Sequence, residues 1–417
     1  MSSTPGPLTG WLAHRLVRLI TLVHATLLAL PRRRVRRPAP DEPVRLLLTG
    51  MFHSEAWLAA HLGPLVASPR CGRVAVVAGA YVPDLPKVEW VRPAPVLVRL
   101  VGGTGARLFT FALRAVRDRP HVVGGFHLLV NGLVAVALAR LVGARSLVFN
   151  VGGTAEVDGG GRGGENRLFS LMPGPDATVE RRLLRALDAA DFLVTMGTGA
   201  KRSFEQRGVR ASVHVIGGGI DASRFAPPDP ASKPEFDLVL VGRLAPIKRV
   251  DLFLDAVALV SARRPGTRAV VVGDGPLRAS LEERARRPDL APVVTFAGRQ
   301  TDVASWLRRA RVFVLTSDSE GLPLSAVEAM MCGLPVVAPA VGDLPDIVEE
   351  GVNGHLVAGR EAEAFARPLL ALVSDEDARR RASAAAVAKA GRYAVPEAAR
   401  LWDPLLDEVG RAKEGVA

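Results

Sequence analysis

The sequence predicts an α/β protein made of two doubly wound domains, and three features of the chain carry this prediction. From residue 44 onward, short runs rich in Val, Leu and Ile alternate with helical stretches, a pattern typical of a parallel sheet covered by helices. The chain has 417 residues, 48% of them apolar, which is too long for one ordinary core. A stretch rich in glycine and proline at 217–236 divides two series of such runs and indicates a linker.

The first series contains six predicted strands. They are VRLLLTG (44–50), RVAVVAGAYV (73–82), HVVGGF (121–126), RSLVFNV (145–151), DFLVTMG (191–197) and SVHVIGG (212–218). Helices are predicted at 54–66 and 128–143, whereas glycines at 102, 103 and 105 interrupt the apolar and basic stretch 96–117.

The second series contains five predicted strands with helices between them. They are DLVLVG (237–242), RAVVVG (268–273), VVTFAG (293–298), RVFVLTS (311–317) and PVVAPA (335–340). Two similar α/β domains joined by one linker place a cleft between the carboxyl ends of their sheets, where ligands bind in this architecture.

Composition excludes several classes of protein. The net charge is +12, yet aromatic residues are only 5% and no zinc-finger, RNA-binding or basic-zipper motif accompanies the charge, so nucleic acid is not the expected partner. Cys71 and Cys332 are the only cysteines, which fits a reducing cytoplasm. No G-x-G-x-x-G opens the first strand–helix turn, which argues against a dinucleotide dehydrogenase.

Residues 1–40 are predicted to form an amphipathic helix followed by a basic linker, PRRRVRR at 31–37. Arg15 and Arg18 would each cost about 2.5–3.5 kcal/mol at the middle of a bilayer, so a helix lying in the interface is preferred. His14, Arg18 and Thr21 form its polar stripe, and the arginines would bind anionic lipid at the inner face of the plasma membrane. The alternatives are a helix packed on the body of the protein and a single tilted span.

Two charged motifs in the second series point to an anionic diphosphate ligand. GRLAPIKRVD (242–251) supplies Arg243 and Lys248, and EGLPLSAVE (320–328) places Glu320 before a predicted helix and Glu328 within it. Pro323 suits the first position of that helix, whose amides and dipole attract phosphate. The alternatives are acidic residues that only complement a helix dipole and an ordinary charged loop.

These motifs, with GGGIDASRF (217–225), VVGDGPLR (271–278) and VTFAGRQTDV (294–303), resemble the large family of retaining glycosyltransferases with the GT-B fold, often numbered family four. The resemblance implies two Rossmann-like domains facing each other across a cleft: an acceptor domain at 41–220, a linker at 221–236 and a nucleotide-sugar domain at 237–390. It also implies that 391–417 crosses back to the first domain as a helix.

The resemblance assigns the donor site. Arg243 and Lys248 stabilise the leaving diphosphate in place of a metal ion, so no cofactor is expected beyond a GDP-, UDP- or ADP-sugar as substrate. Glu320 lies near the donor sugar and Glu328 on the ribose. The remaining donor-site residues supply main-chain groups or shape the cleft, and they are Gly321, Leu322, Gly298, Arg299, Gly273, Asp274 and Gly50. A simple turn is the alternative for Gly273 and Asp274.

The acceptor side rests on fewer residues. His127 follows the strand HVVGGF, where the family has a functional histidine near the transferring sugar, although a histidine at a strand end is often structural. His53, like Gly50, is expected near the donor phosphates. The glycine-rich loop 155–169 is predicted to be a mobile acceptor or lid loop. Its hydroxyl-binding candidates are Glu156, Asp158, Glu165 and Asn166.

The sequence therefore predicts a cytoplasmic, membrane-associated retaining glycosyltransferase of the hexosyltransferase type. Its acceptor is predicted to be a lipid-linked or cell-surface polysaccharide precursor. One alternative is another GT-B enzyme, such as a nucleotide-sugar epimerase or hydrolase. Another is a non-catalytic protein that binds a nucleotide-sugar.

Overall fold

The computed structural model describes residues 7–52, 54–80, 82–164 and 166–411. The chain forms two compact units. The N-terminal unit contains Met1–Gly219 and Val395–Ala417, and the C-terminal unit contains Ile220–Ala394. The C-terminal segment from residue 395 is thus part of the first unit.

The N-terminal unit has a parallel sheet of seven strands in the order β3-β2-β1-β4-β5-β6-β7. The strands are β1 (Val44–Thr49), β2 (Cys71–Val77), β3 (Val88–Val91), β4 (Val122–Phe126), β5 (Arg145–Asn150), β6 (Phe192–Thr195) and β7 (Ser212–Val215). The helices before the linker are α1 (Pro7–Ala29), α2 (Glu55–Ala67), α3 (Pro95–Asp118), α4 (Leu133–Val142), α5 (Asp158–Gly161), α6 (Arg167–Ser170), α7 (Ala177–Asp188) and α8 (Thr198–Gln206).

The C-terminal unit has a parallel sheet of six strands in the order β10-β9-β8-β11-β12-β13. The strands are β8 (Phe236–Val241), β9 (Ala269–Val272), β10 (Val294–Gly298), β11 (Ala310–Val314), β12 (Val336–Pro339) and β13 (Gly354–Val357). Its helices are α9 (Val250–Arg263), α10 (Arg278–Arg284), α11 (Val303–Arg308), α12 (Leu324–Met331), α13 (Leu344–Ile347), α14 (Ala362–Ser374) and α15 (Glu376–Ala390). The chain returns to the N-terminal unit as α16 (Val395–Arg400) and α17 (Trp402–Gly410).

Both sheets therefore have the doubly wound topology that the sequence predicts. In each one, the first strand of the unit (β1 or β8) pairs with the second and the fourth. The winding direction reverses at this pair, and ligands of open α/β sheets bind outside the carboxyl ends of the strands there. The topology thus predicts a ligand site in each unit. In the N-terminal unit it would be formed by the loops after β1 and β4, and in the C-terminal unit by the loops after β8 and β11.

Each of the eleven predicted strands is present, whereas β3 and β13 were missed. Both are edge strands that pair on one side only. All four residues of β3 are half-buried, and so are the two central residues of β13. Edge strands admit polar residues because one face and one side stay close to water, so neither has the continuous apolar run of a central strand.

The helix α1 packs on the N-terminal unit, where it contacts α4, α6 and α7. Part of its polar stripe faces the protein: Nε2 of His14 and Nε of Arg18 lie 2.7 and 2.6 Å from Oδ2 of Asp176. Asp176 is buried and also accepts the N–H groups of Thr178 and Val179 at the start of α7. Asp176 thus binds two side chains of the stripe, although the Arg18 side chain remains 54% exposed.

The basic segment after α1 is also bound to the unit. The guanidinium of Arg32 pairs with Asp191 at 2.6 Å, and Arg145 pairs with the same carboxylate at 2.9 Å. Burial opposes ionisation of Asp191, but the hydrogen bond and charge of Arg32 outweigh it and lower the pKa to about 2. The main-chain N–H groups of Arg33 and Arg36 donate to carbonyls at the end of α4. The segment 31–37 therefore runs along the unit.

Candidate functional site

In the C-terminal unit, the loops after β8 and β11 bring two of the predicted catalytic residues together. The ammonium of Lys248 lies 2.6 and 2.9 Å from the two carboxylate oxygens of Glu320. The Glu320 side chain is 8% exposed and that of Lys248 is 23% exposed, so the pair is largely shielded from water. A cation and a carboxylate are thus held side by side at the switch point of the sheet.

Several hydrogen bonds fix the loop that carries Lys248. The Thr316 hydroxyl donates to the carbonyls of Lys248 and Arg249, at 3.0 and 2.8 Å, and the Asp318 N–H donates to Ile247 at 2.8 Å. Arg249 has a φ of 46°, an uncommon conformation for a residue with a side chain. Its guanidinium pairs with Asp318 at 3.4 Å. The surrounding contacts therefore determine where the Lys248 backbone lies.

The helix after Glu320 follows the predicted course with one difference. Gly333, at φ 82°, is the left-handed residue just past its end. Pro323, predicted at the first helical position, precedes it, because its ψ of 107° is extended and α12 begins at Leu324. Glu328 lies on the second turn and is half-buried. Burial raises the pKa of this carboxyl to about 7, and the nearby Arg224 lowers it less.

The other predicted donor residues lie on the same edge of this sheet. Gly273 follows β9, and a Cβ there would lie 1.9 Å from the Gly242 carbonyl, so only glycine fits. Its N–H donates to the carbonyl of Gly298, at the end of β10. Asp274 and Arg299 follow directly and are exposed. The loops after three neighbouring strands are therefore close together.

The main-chain and cationic candidates complete this edge. Gly321 and Leu322 continue from Glu320 into α12, and the Gly321 carbonyl accepts the Asp343 N–H at 3.3 Å. Arg243 is exposed at the start of the Lys248 loop. Arg278 was not predicted from the sequence, but it also lies at this edge: its guanidinium is 3.6 Å from Asp274 and 3.2 Å from where a Gly298 Cβ would be. The one sequence feature that pointed to Arg278 was its position four residues after Asp274.

In the N-terminal unit, the corresponding switch point has Gly50 after β1 and His127 after β4. Nδ1 of His127 lies 2.9 Å from Oε1 of Glu156, and because a carboxylate only accepts, this nitrogen carries the proton. The His127 ring is parallel to that of Trp57, with centroids 6.2 Å apart. A Cβ on Gly50 would lie 2.8 Å from Cβ of Phe126, so this position is also restricted to glycine.

Glu156 lies inside the unit and not on an open acceptor surface. It is 1% exposed, and its oxygens also accept the N–H groups of Leu128 and Gly152. This differs from the hydroxyl-binding role expected from sequence, because protein donors already occupy the carboxylate. The pairing joins residues 29 apart, and no local motif signals it.

The rest of the glycine-rich loop is folded against the unit over its described part. Asp158 pairs with Arg207 at 2.7 Å, and Asn166 accepts the N–H of Leu168 at 3.0 Å. The Asp176 N–H donates to the carbonyl of Gly159. Glu165 and His53 lie outside the described residues. Asp158 and Asn166 thus have structural partners, and Nδ2 of Asn166 also donates to the carbonyl of Leu129, two residues after His127, at 3.5 Å.

The two units, each with a doubly wound parallel sheet, define the GT-B class of fold. Anabaena HepE in complex with UDP-glucose matches with a TM-score of 0.67 and 20% identity, covering 88% of this chain and 100% of that chain. Sucrose-phosphate synthase from Thermosynechococcus elongatus matches with a TM-score of 0.69 and 19% identity, covering 88% and 99%. At these identities the likeness establishes the fold.

More specifically, the model of the family Glycosyl transferases group 1 matches residues 235–375, a segment that contains Lys248, Glu320 and Glu328. The D-inositol 3-phosphate glycosyltransferase of Frankia alni is 38% identical over 207 residues, which are 45% of this chain and 51% of the relative. D-inositol 3-phosphate glycosyltransferase 2 of Catenulispora acidiphila is 35% identical over 262 residues, or 57% and 59%. The chain thus spans between half and three-fifths of these relatives.

Proposed function

We propose that this protein is a retaining glycosyltransferase that moves a sugar from a nucleoside diphosphate to a hydroxyl acceptor. The observation that carries the proposal is the Lys248–Glu320 pair, held at the switch point of the unit that matches the glycosyl transferases group 1 model. A uridine nucleotide is the favoured donor, because solved structures with this fold contain UDP or UDP-glucose.

Lys248 would act on the leaving group. When the bond between the anomeric carbon and the phosphate oxygen breaks, negative charge grows on the diphosphate, and a fixed cation stabilises it. Arg243, on the same loop, would add a second cation. The amides at the start of α12 and the positive end of its dipole would hold further phosphate oxygens. These groups would replace a divalent metal ion.

Glu320 would have two roles, one before the donor binds and one afterwards. Before the donor binds, its carboxylate neutralises Lys248 and holds the ammonium in place, as the distances of 2.6 and 2.9 Å indicate. Once the diphosphate binds the ammonium, Glu320 would accept hydrogen bonds from hydroxyls of the donor sugar. Retention then requires no protein nucleophile: the acceptor oxygen bonds to the anomeric carbon on the face that the diphosphate leaves, and a phosphate oxygen takes its proton.

Nucleoside recognition would fall to the rest of the same edge. The carboxylate of Glu328 would accept hydrogen bonds from the ribose hydroxyls. Main-chain groups of Gly298 and Arg299 would hold the base, and Gly273 with Asp274 would shape the floor of the site. The close approach at Gly273 supports a tightly built floor, since no side chain fits there.

The N-terminal unit would bind the acceptor, with His127 near the transferring sugar. Glu156 would act as a positioning residue that fixes the proton on Nδ1 and the orientation of the His127 ring. The acceptor would be a lipid-linked or cell-surface polysaccharide precursor at the inner face of the plasma membrane. The outward apolar face of α1 supports this choice, with Leu12, Leu16 and Leu19 each about half exposed.

The test is a melting-temperature screen with GDP-, UDP- and ADP-sugars, followed by donor turnover with membrane lipid extracts as acceptor. We expect one donor class to raise the melting temperature and to be consumed only when acceptor is present. Lys248→Met should abolish transfer, whereas Lys233→Met, at an exposed lysine of the same unit, should not. Donor consumption without acceptor would favour the epimerase or hydrolase alternative. Binding without consumption would favour a non-catalytic protein.

A further inference from the structure

The outward face of α1 is largely apolar, while His14 and Arg18 of its polar stripe bind Asp176. Seven large apolar side chains on this helix are between 46% and 70% exposed. They are Leu8, Trp11, Leu12, Leu16, Leu19, Leu22 and Val23. A water-facing helix normally presents polar residues on its outer side, so this arrangement indicates a surface that another apolar phase covers.

The helix α3 has the same property on a second, independent stretch of chain. Phe109, Leu113 and Val116, spaced by four and three residues, form one stripe and are 59%, 57% and 64% exposed. On the opposite side, Phe111 and Ala115 are buried in the core. The outward stripe is thus not needed to hold the helix on the sheet.

Gly102 separates the first part of α3 from the rest. Its φ of 72° and ψ of 166° are not helical, so residues 95–101 form a short arm that changes direction at this glycine. The arm is apolar and open: Val96 is 65% exposed and Leu100 is 76% exposed. A Cβ added at Gly102 or Gly103 would meet nothing within 4 Å outside the local helix backbone.

The faces of α1 and α3 belong to one layer of helices, because both helices pack on α4. Val17 of α1 shares a buried cluster with Leu133 and Val136 of α4. On the other side of α4, Ala135 and Ala139 share a cluster with α3. The outer turn of α4 between them exposes Leu141, at 37%. The exposed apolar faces of α1 and α3 therefore lie on one layer of helices.

The charge around this surface is mainly positive. Residues 1–40 contain seven arginines and no acidic residue, and α3 contains four arginines and one acidic residue, Asp118, which pairs with Arg114. Exposed arginines on or beside the two helices include Arg15, Arg18, Arg33, Arg34, Arg37, Arg92, Arg99 and Arg117. Apolar side chains bordered by arginines match the acyl chains and the phosphate groups of an anionic bilayer.

Two contacts with the body of the unit argue that these helices lie on a bilayer and do not cross it. By length and composition both could span a membrane, and 22% and 17% of them are buried in the unit. However, the Arg107 guanidinium of α3 is buried and donates to the Thr49 hydroxyl at 2.7 Å, and the Arg18 guanidinium of α1 binds Asp176. Insertion would break both contacts and expose a buried carboxylate.

We propose that the outward faces of α1 and α3 form one docking surface for an anionic bilayer. This deepens the proposed membrane association by adding α3 as a second contact, and it rests on the proposed function only for the choice of a lipid-linked acceptor. The apolar stripes enter the headgroup–acyl boundary, and the arginines bind lipid phosphates. Zwitterionic lipid alone binds the surface more weakly.

The test is flotation of the full chain with vesicles of phosphatidylcholine, with or without phosphatidylglycerol. Two double variants, Leu16→Glu with Leu19→Glu and Phe109→Glu with Leu113→Glu, should each reduce binding to the anionic vesicles about tenfold. Leu401→Glu is the matched control, since this leucine is 47% exposed on the same unit and follows α16, which packs on α2. It should bind like the wild type.

The shift in melting temperature on adding the donor nucleotide is measured on each variant as well. A normal shift shows that the variant is folded and has an intact donor site, independently of its binding to vesicles. An unchanged shift with lost flotation supports the docking surface. Wild-type flotation of the α3 variant overturns the proposal, as does equal binding to neutral vesicles. A dimer in light scattering that the α3 variant dissociates also overturns it, because a second copy would then cover the face. Flotation without any nucleotide binding would contradict the proposed function and leave the docking surface standing.

Discussion

The Lys248 ammonium contacts both carboxylate oxygens of Glu320, at 2.6 and 2.9 Å, although 72 residues separate them in the chain. The two side chains meet because β8 and β11 are neighbours in the sheet, so their following loops lie side by side. A diphosphate that binds Lys248 must therefore compete with Glu320.

This competition gives opposite effects on binding and on turnover. Glu320→Gln should leave the Lys248 charge uncompensated, so the affinity for UDP should rise several-fold while transfer falls on the order of a hundredfold. Calorimetric titration of UDP and turnover assays on the same preparation measure the two quantities. Glu363→Gln, at an exposed glutamate of the same unit, is the control. Weaker UDP binding in Glu320→Gln would show that the pair does not restrain Lys248.

The raised pKa of Glu328 predicts a pH effect on stability. Its folded-state pKa is about 7, above the unfolded value of about 4.5, so the fold binds the proton more tightly and loses stability as pH rises between these values. Glu328→Gln should therefore raise the melting temperature relative to the wild type at pH 8 and change it little at pH 4. Melting curves across this range check the sign; a constant difference would contradict it.

The same carboxyl predicts a pH effect on ligand binding. A carboxylate accepts two ribose hydroxyls, whereas the protonated form has lost acceptor capacity. The affinity of wild-type protein for uridine nucleotides should increase as pH rises through about 7, in addition to any effect of phosphate ionisation. Comparing the affinities for UDP and 2′,3′-dideoxy-UDP measures the contribution of the ribose hydroxyls. This difference in affinity should vanish in Glu328→Gln.

Glu156 and His127 should act as one unit. Glu156→Gln replaces a carboxylate that accepts several hydrogen bonds by an amide with one oxygen, which should cost about 1–3 kcal/mol of stability. It should also lower kcat without a comparable change in the KM of the donor. The double variant with His127→Ala should be no slower than His127→Ala alone. Additive losses in kcat would mean that Glu156 does not act through His127.

Asp176 should be a large single contributor to the stability of the N-terminal unit. Hydrogen bonds from Arg18 and His14 outweigh its burial and hold the pKa of Asp176 well below its ordinary value. Its stabilisation is therefore present above about pH 4 and is lost as pH falls through the folded-state pKa. Asp176→Ala also removes the cap of α7, and should lower the free energy of unfolding by about 3 kcal/mol at pH 7. Urea titrations at pH 7 and pH 3 should show the difference shrinking in acid.

Local pattern was sufficient for the central strands, because buried parallel strands are continuous apolar runs, and the Lys248 and Glu320 loops directly follow two of them. It was not sufficient for contacts between distant residues. The contact of the α1 stripe with the unit depends on Asp176, 162 residues from His14, and the burial of Glu156 depends on His127. The glycines of 96–117 concealed α3, since only one of them, Gly102, leaves the helical conformation.

Ion pairs fix α1 and the segment that follows it on the N-terminal unit. Arg18 of α1 pairs with Asp176, and Arg32 pairs with Asp191. A protein tethered by a loose leader can tumble and sample many heights above whatever it is attached to. Here the attachment and the scaffold turn as one piece, so any plane on which α1 rests dictates the tilt of the sheet. The distance between that plane and the sheet would then be set by the dimensions of the fold and not by the length of a flexible linker.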